Sequence, residues 1–186
     1  MTENEWTTFV QALLNDELVN ESLEVRALEK LPYAMEVRHY RGKSPEPPET
    51  MDYQTDLMIV ENCPDSIWKP RLIIELKVKS VTTHDAITYS QKAFAHKSVH
   101  PYLRYGILMA DRRHYPLPGR LYRHGVYFDF MASWVGYEPT EDELQGLVSI
   151  IRDEVEASRP LEEIIYNSRS RSRAHFTYLH RPLKLY

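Results

Sequence analysis

The stretch Arg71-Leu72-Ile73-Ile74-Glu75-Leu76-Lys77-Val78-Lys79 constrains this chain more than any other. Its density of leucine, isoleucine and valine predicts a β-strand. Side chains alternate along a strand, so Leu72, Ile74, Leu76 and Val78 share one face, while Ile73, Glu75, Lys77 and Lys79 share the other. A carboxylate and an ammonium two residues apart in such a strand are costly to bury without a partner or a metal. A second apolar run, Asp56-Leu57-Met58-Ile59-Val60, opens on an acid nineteen positions before Glu75. Set side by side, the two runs bring two carboxylates and a lysine together.

The rest of the chain supplies what such strands need around them. Trp6, Phe9, Val10, Leu13 and Leu14 recur at helical spacing, with Asn15 to Asn20 as an expected interruption. A second helix is predicted over 22–31, ending at Pro32. Residues 33–41 read as a strand, 42–49 as a proline-rich loop and 55–61 as the strand that Asp56 opens. Thr82-Thr83-His84-Asp85 has the capping oxygens of a helix start, so His84 and Asp85 read as capping residues of a helix to about Lys97. Residues 102–110 and 121–131 read as strands, with a loop over 111–120. Thr140 and Glu143 have capping-box spacing, and Pro160 reads as the start of a separate short helix. The expected fold is α/β: a central mixed β-sheet of about five strands flanked by helices.

At 186 residues the chain is sized for one domain: a core over about 20–131, a helical part over 140–167 and a basic tail over 168–186. No run of about 18 apolar residues occurs, so no membrane span is expected. Met1-Thr2-Glu3-Asn4-Glu5 is acidic, unlike a signal peptide. The single Cys63 rules out an internal disulfide framework, and no CxxC or HExxH pattern is present. A soluble cytoplasmic protein is expected. The net charge of −4 is unevenly spread: residues 63–134 carry 11 basic and 5 acidic side chains, and residues 1–62 carry 5 and 13. Such basic segments are either phosphate-holding surfaces beside an acidic pocket or ordinary solvated faces.

Asp56 and Glu75 are suited to a hard divalent cation such as Mg²⁺, with the carbonyl of Leu76 as a third oxygen donor. Lys77, on Glu75's face, is placed to orient or deprotonate a water or to neutralise a phosphate. Burial beside a metal is expected to disfavour its ammonium form. Asp56, eighteen intervening residues and Glu75-Leu76-Lys77 resemble the PD-(D/E)xK nuclease superfamily, with its restriction-endonuclease-like fold, over about residues 20–131. The position before Asp56 is Thr55, where the motif's name has proline.

The resemblance implies a Mg²⁺-dependent DNA endonuclease, a phosphodiester hydrolase in which Mn²⁺ can substitute, of the restriction or another bacterial defence kind. It implies Asp56 and Glu75 as metal ligands, Lys77 as catalytic and a homodimer as the working form. It also offers Glu24 or Glu21 as a further metal ligand from an early helix, with Glu36 on the preceding strand as a similar candidate, and Gln91 as a catalytic-site contact. Lys79 is a candidate phosphate contact, and Lys92 a candidate contact to phosphate or the metal site. Arg112, Arg113, His114, Arg120, Arg123 and His124 are either DNA contacts or a solvated loop. A repair or junction nuclease of the same fold, RNA as substrate and a non-catalytic nucleic-acid-binding protein remain open.

Overall fold

The structure is a computed structural model that describes residues 1–111 and 117–167. Helix α1 (Glu3–Leu18) leads to β1 (Leu23–Ala27), β2 (Lys30–Glu36), the two-residue strands β3 (Tyr40–Arg41) and β4 (Ser44–Pro45), and β5 (Glu49–Gln54). Strands β6 (Leu57–Asn62) and β7 (Trp68–Val78), helix α2 (Thr83–Val99) and β8 (Arg104–Ala110) follow, then α3 (Gly119–His124), β9 (Phe130–Ser133) and α4 (Glu141–Tyr166). The central sheet has five strands in the order β1-β6-β7-β8-β9. β1, β6 and β7 run antiparallel, and β7, β8 and β9 run parallel. The mixed five-stranded α/β architecture expected from the sequence is therefore present. Among the described residues no helix is long and apolar enough to cross a membrane.

Strand alternation sorts the two faces. Leu57, Ile59, Leu72, Ile74, Leu76 and Leu108 pack against α1 and α4. Met58, Val60, Ile73, Tyr105, Ile107 and Met109 point to the opposite face, under α2 and α3. Glu75 and Lys77 therefore lie on the α2 side.

Four expectations are corrected. Residues 22–31 form β1 and the start of β2, not a helix: Leu23 and Val25 are buried while Glu24 and Arg26 are not, a period of two. Leu28 breaks the strands apart with φ of 57°. The loop expected over 42–49 holds β4 and leads into β5, which pairs with β2 as a separate two-stranded hairpin whose tip is β3–β4. The strand expected over 121–131 is replaced by α3 and the later β9. Pro160 starts no new helix, because α4 runs through it. Proline removes one helical hydrogen bond, but side chains on both sides of it are tied to β7: Ser158 Oγ accepts from Arg71 at 3.3 Å, and Glu162 pairs with Lys69 and Arg71, each at 2.7 Å.

Asn15 does not interrupt α1. Its amide pairs with the outer edge of β1, accepting from Val25 N at 2.8 Å and donating to Val25 O at 3.0 Å. The side chain thus supplies the hydrogen bonds of a missing neighbouring strand. Asn15→Ala leaves Val25 N without its partner, while Val25 O keeps Gln11 Nε2 at 3.1 Å, and should destabilise the fold by about 1–2 kcal/mol. Urea unfolding measures this, and a midpoint equal to wild type would refute the edge-capping role.

Candidate active site

The β6–β7 register pairs Leu57 with Ile74. Continued one residue past the start of β6, it sets Asp56 across from Glu75. Leu76 N donates to Asp56 Oδ2 at 2.7 Å, so Leu76's backbone polar groups face β6. Asp56 and Glu75 then oppose each other as a non-hydrogen-bonded pair, in which facing side chains come closest. Each carboxyl group is close enough to shift the other's pKa. A strand residue presents its N–H and C=O to the same side, so the Leu76 carbonyl also faces the Asp56 edge.

Glu75 is buried to 1 % exposure, and Asp56 beside it is half-buried. Burial pushes the Glu75 carboxyl up to about 7; Lys92 pulls it down and Asp56 pushes it further up. Burial also raises Asp56, against the pull of the Leu76 N–H and Lys92, with Glu3 adding to the rise. Two desolvated acids face to face titrate as a pair. Lys92 Nζ lies 2.9 Å from Glu75 Oε1, and Tyr105 donates its hydroxyl to the same oxygen at 2.5 Å. Lys92 also donates to the Gln54 carbonyl at 3.3 Å. Burial and the Glu75 charge hold the Tyr105 phenol well above its ordinary range.

Lys77 lies on the Glu75 face, but its ammonium pairs with Glu3 Oε1 at 3.0 Å. Burial lowers its pKa, but Glu3, Tyr89 and Asp85 outweigh burial and leave it raised. Lys77 is therefore an ammonium here.

Thr55 is fully buried, and both its N–H (2.9 Å) and its hydroxyl (3.0 Å) donate to the Glu29 carbonyl. A proline at this position could supply neither bond, which explains why threonine serves here.

Several sequence candidates lie elsewhere. Glu24 is on β1 across from Val60, four positions along β6 from Asp56, and pairs with Arg26 at 2.9 Å. Glu21 pairs with Arg152 at 2.8 Å, beside α4. Glu36 is exposed at the far end of β2. Gln91 is exposed on α2, and Lys92, the next residue, is the one that reaches Glu75. Lys79 does not continue the Glu75 face: β7 ends at Val78, and Lys79 is exposed with φ of 65°. Asp85 completes the capping box with Thr82, as expected. Arg120 and Arg123 are exposed on α3, a helix packed against α2. Arg112, Arg113 and His114, like the tail from 168 to 186, lie outside the described residues.

The sequence reading missed Glu3 and Tyr105. Glu3 was visible only as an acid in the first turn of a helix. Tyr105 shares the alternation of Ile107 and Met109, yet nothing local marks it as Glu75's partner.

Among the described residues no group of three or more histidine, cysteine, aspartate or glutamate side chains gathers to hold a metal. A pair of carboxylates is nevertheless a fitting set for Mg²⁺, which keeps several waters and takes one or two protein carboxylates. Burial holds both acids above their usual range, and Asp56 pushes Glu75 further up, the condition a bound dication relieves. No family model matches the chain, and no curated protein matches it.

Proposed function

We propose that this chain is a Mg²⁺-dependent DNA endonuclease of the PD-(D/E)xK type. The observation that carries the reading is the Asp56–Glu75 pair on adjacent strands, with Lys77 and Lys92 on the same face of the sheet. Asp56, Glu75 and the Leu76 carbonyl would hold the metal, which when bound supplies charge neutralisation and activation of water. Asp56 is oriented for this by Leu76 N, and Glu75 by Tyr105 and Lys92. Lys77, as an ammonium, neutralises charge on the phosphate instead of taking a proton from water. In the reaction a water oxygen bonds to phosphorus and the bond from phosphorus to one sugar oxygen breaks. Exposed Arg120 and Arg123 on α3 are candidate backbone contacts. Restriction or a related defence role, and cutting of both strands by a homodimer, belong to the same proposal.

One observation favours a second reading, a nucleic-acid-binding protein without hydrolysis. Lys92, Tyr105 and the Leu76 N–H already partner the two acids from within the chain.

Incubation with plasmid and phage DNA in Mg²⁺, Mn²⁺ or EDTA, beside Lys77→Ala, separates the two. The endonuclease reading expects fragments that require metal and disappear in the variant. Absence of cleavage by wild type in every metal, with binding retained, would establish the second reading.

A further inference from the structure

The hairpin of β2 and β5 ends one residue before Thr55 and two before Asp56, so it rises directly from the candidate site. Its register shifts between Pro32 and Ala34, leaving Tyr33 as the extra residue of a β-bulge. A bulge re-aims a side chain. Here the Tyr33 ring lies flat on Tyr53, with centroids 3.7 Å apart and planes 9° from parallel. Tyr53 is braced by the edge of His96 at 5.9 Å, and Lys92 Nζ lies 6.0 Å from its ring. The same Lys92 touches Glu75 at 2.9 Å. One lysine therefore separates the acidic pair from an aromatic stack in which Tyr53 is exposed and Tyr33 half-buried.

We propose that Tyr33 and Tyr53 form a stacking platform for one unpaired base, so that the strand bound beside Asp56 and Glu75 is single-stranded or locally opened. That this strand is also the substrate rests on the hydrolytic reading above. A π-face accepts any base without reading its edge. In a duplex each base face is covered by its neighbours, so only an unpaired base can be received. Charge favours this occupant over a duplex backbone. Residues 30–54 carry 4 basic and 4 acidic side chains, and two of the arginines are already paired, Arg38 with Glu49 and Arg41 with Glu46. The hairpin therefore offers no excess of positive charge for two phosphate strands. Lys92 and Lys77, at its root, are placed for the phosphate of the one stacked nucleotide.

Fluorescence polarisation with a labelled single-stranded oligonucleotide and a blunt duplex, in EDTA so that nothing is cut, tests the platform. Tyr33→Ala and Tyr33→Leu should each weaken single-strand binding about tenfold. Duplex binding should stay unchanged, and Tyr33→Trp should retain wild-type affinity. Circular dichroism melting confirms that each variant is folded. Equal single-strand affinity of wild type and Tyr33→Leu overturns the proposal, and so does a wild type that binds no single strand. A variant that changes only the sedimentation coefficient also overturns it, assigning the hairpin to contact between copies of the chain. Failure of metal-dependent cleavage leaves the binding difference standing, so the platform and the hydrolytic reading can fail separately.

Discussion

Asp56→Asn should abolish metal-dependent cleavage, lowering the single-turnover rate by at least about a thousandfold, while the protein stays folded. The magnitude follows from the several kcal/mol of charge stabilisation that a correctly held dication contributes, at about 1.4 kcal/mol per factor of ten. Folding survives because an asparagine carbonyl can still accept from Leu76 N, the bond that Asp56 Oδ2 makes at 2.7 Å. Glu24→Gln, remote from the pair and engaged with Arg26, should leave the rate unchanged. An Asp56→Asn enzyme within tenfold of wild type would remove the acidic pair from the reaction.

Glu75→Gln should stabilise the metal-free protein at pH 8 by up to about 3 kcal/mol and at pH 5 by less than 1 kcal/mol. The Glu75 carboxyl is pushed up from 4.5 to about 7, chiefly by burial. The folded state therefore holds the proton more tightly than the unfolded chain. Stability is full while both states are protonated and is lost as pH rises from the unfolded value through about 7. Glutamine mimics the protonated form at every pH, so it escapes the loss. Buried His96, held down to about 4, works in the opposite direction. Its folded state resists protonation, so stability rises with pH between about 4 and 6.5. The two effects offset each other in wild type across mildly acidic pH, which is why the difference between wild type and Glu75→Gln is the informative quantity. Urea unfolding at the two pH values measures it. Equal stabilisation at both pH values would refute the buried-acid account. Mg²⁺ should raise the melting temperature of wild type at pH 8 and leave that of Glu75→Gln nearly unchanged.

The central strands were legible because alternation and apolar density are local signals. Leu72 to Val78 announced both a strand and the face that carries Glu75. Helices α1, α2 and α4 were legible from periodicity and from their capping residues, Thr82 with Asp85 and Thr140 with Glu143. β1 was misread because Leu23, Ala27, Leu28 and Leu31 also satisfy a helical spacing; the strand exists because β6 and the Asn15 amide supply its hydrogen bonds. Such partners are set by tertiary packing, not by spacing. For the same reason Glu3 and Tyr105 escaped notice: one comes from the start of the chain and the other from the neighbouring parallel strand. Lys92 was picked out with Gln91 as a contact to the metal site or phosphate, but a single sequence does not give the direction in which a helix presents either, and Lys92 is the one that faces Glu75.

The bonds at the root of the hairpin also have a mechanical consequence. Thr55 donates twice to Glu29, Gln54 Nε2 donates to Leu28 O at 3.0 Å, and Leu28 N donates to Asp56 O at 3.0 Å. Together they form a collar between the two chain segments that enter and leave the hairpin. The collar stiffens the base of the hairpin, between its exposed tip and Asp56. Thr55→Val would remove one of these four bonds, the hydroxyl donation to Glu29, and keep the backbone bond beside it.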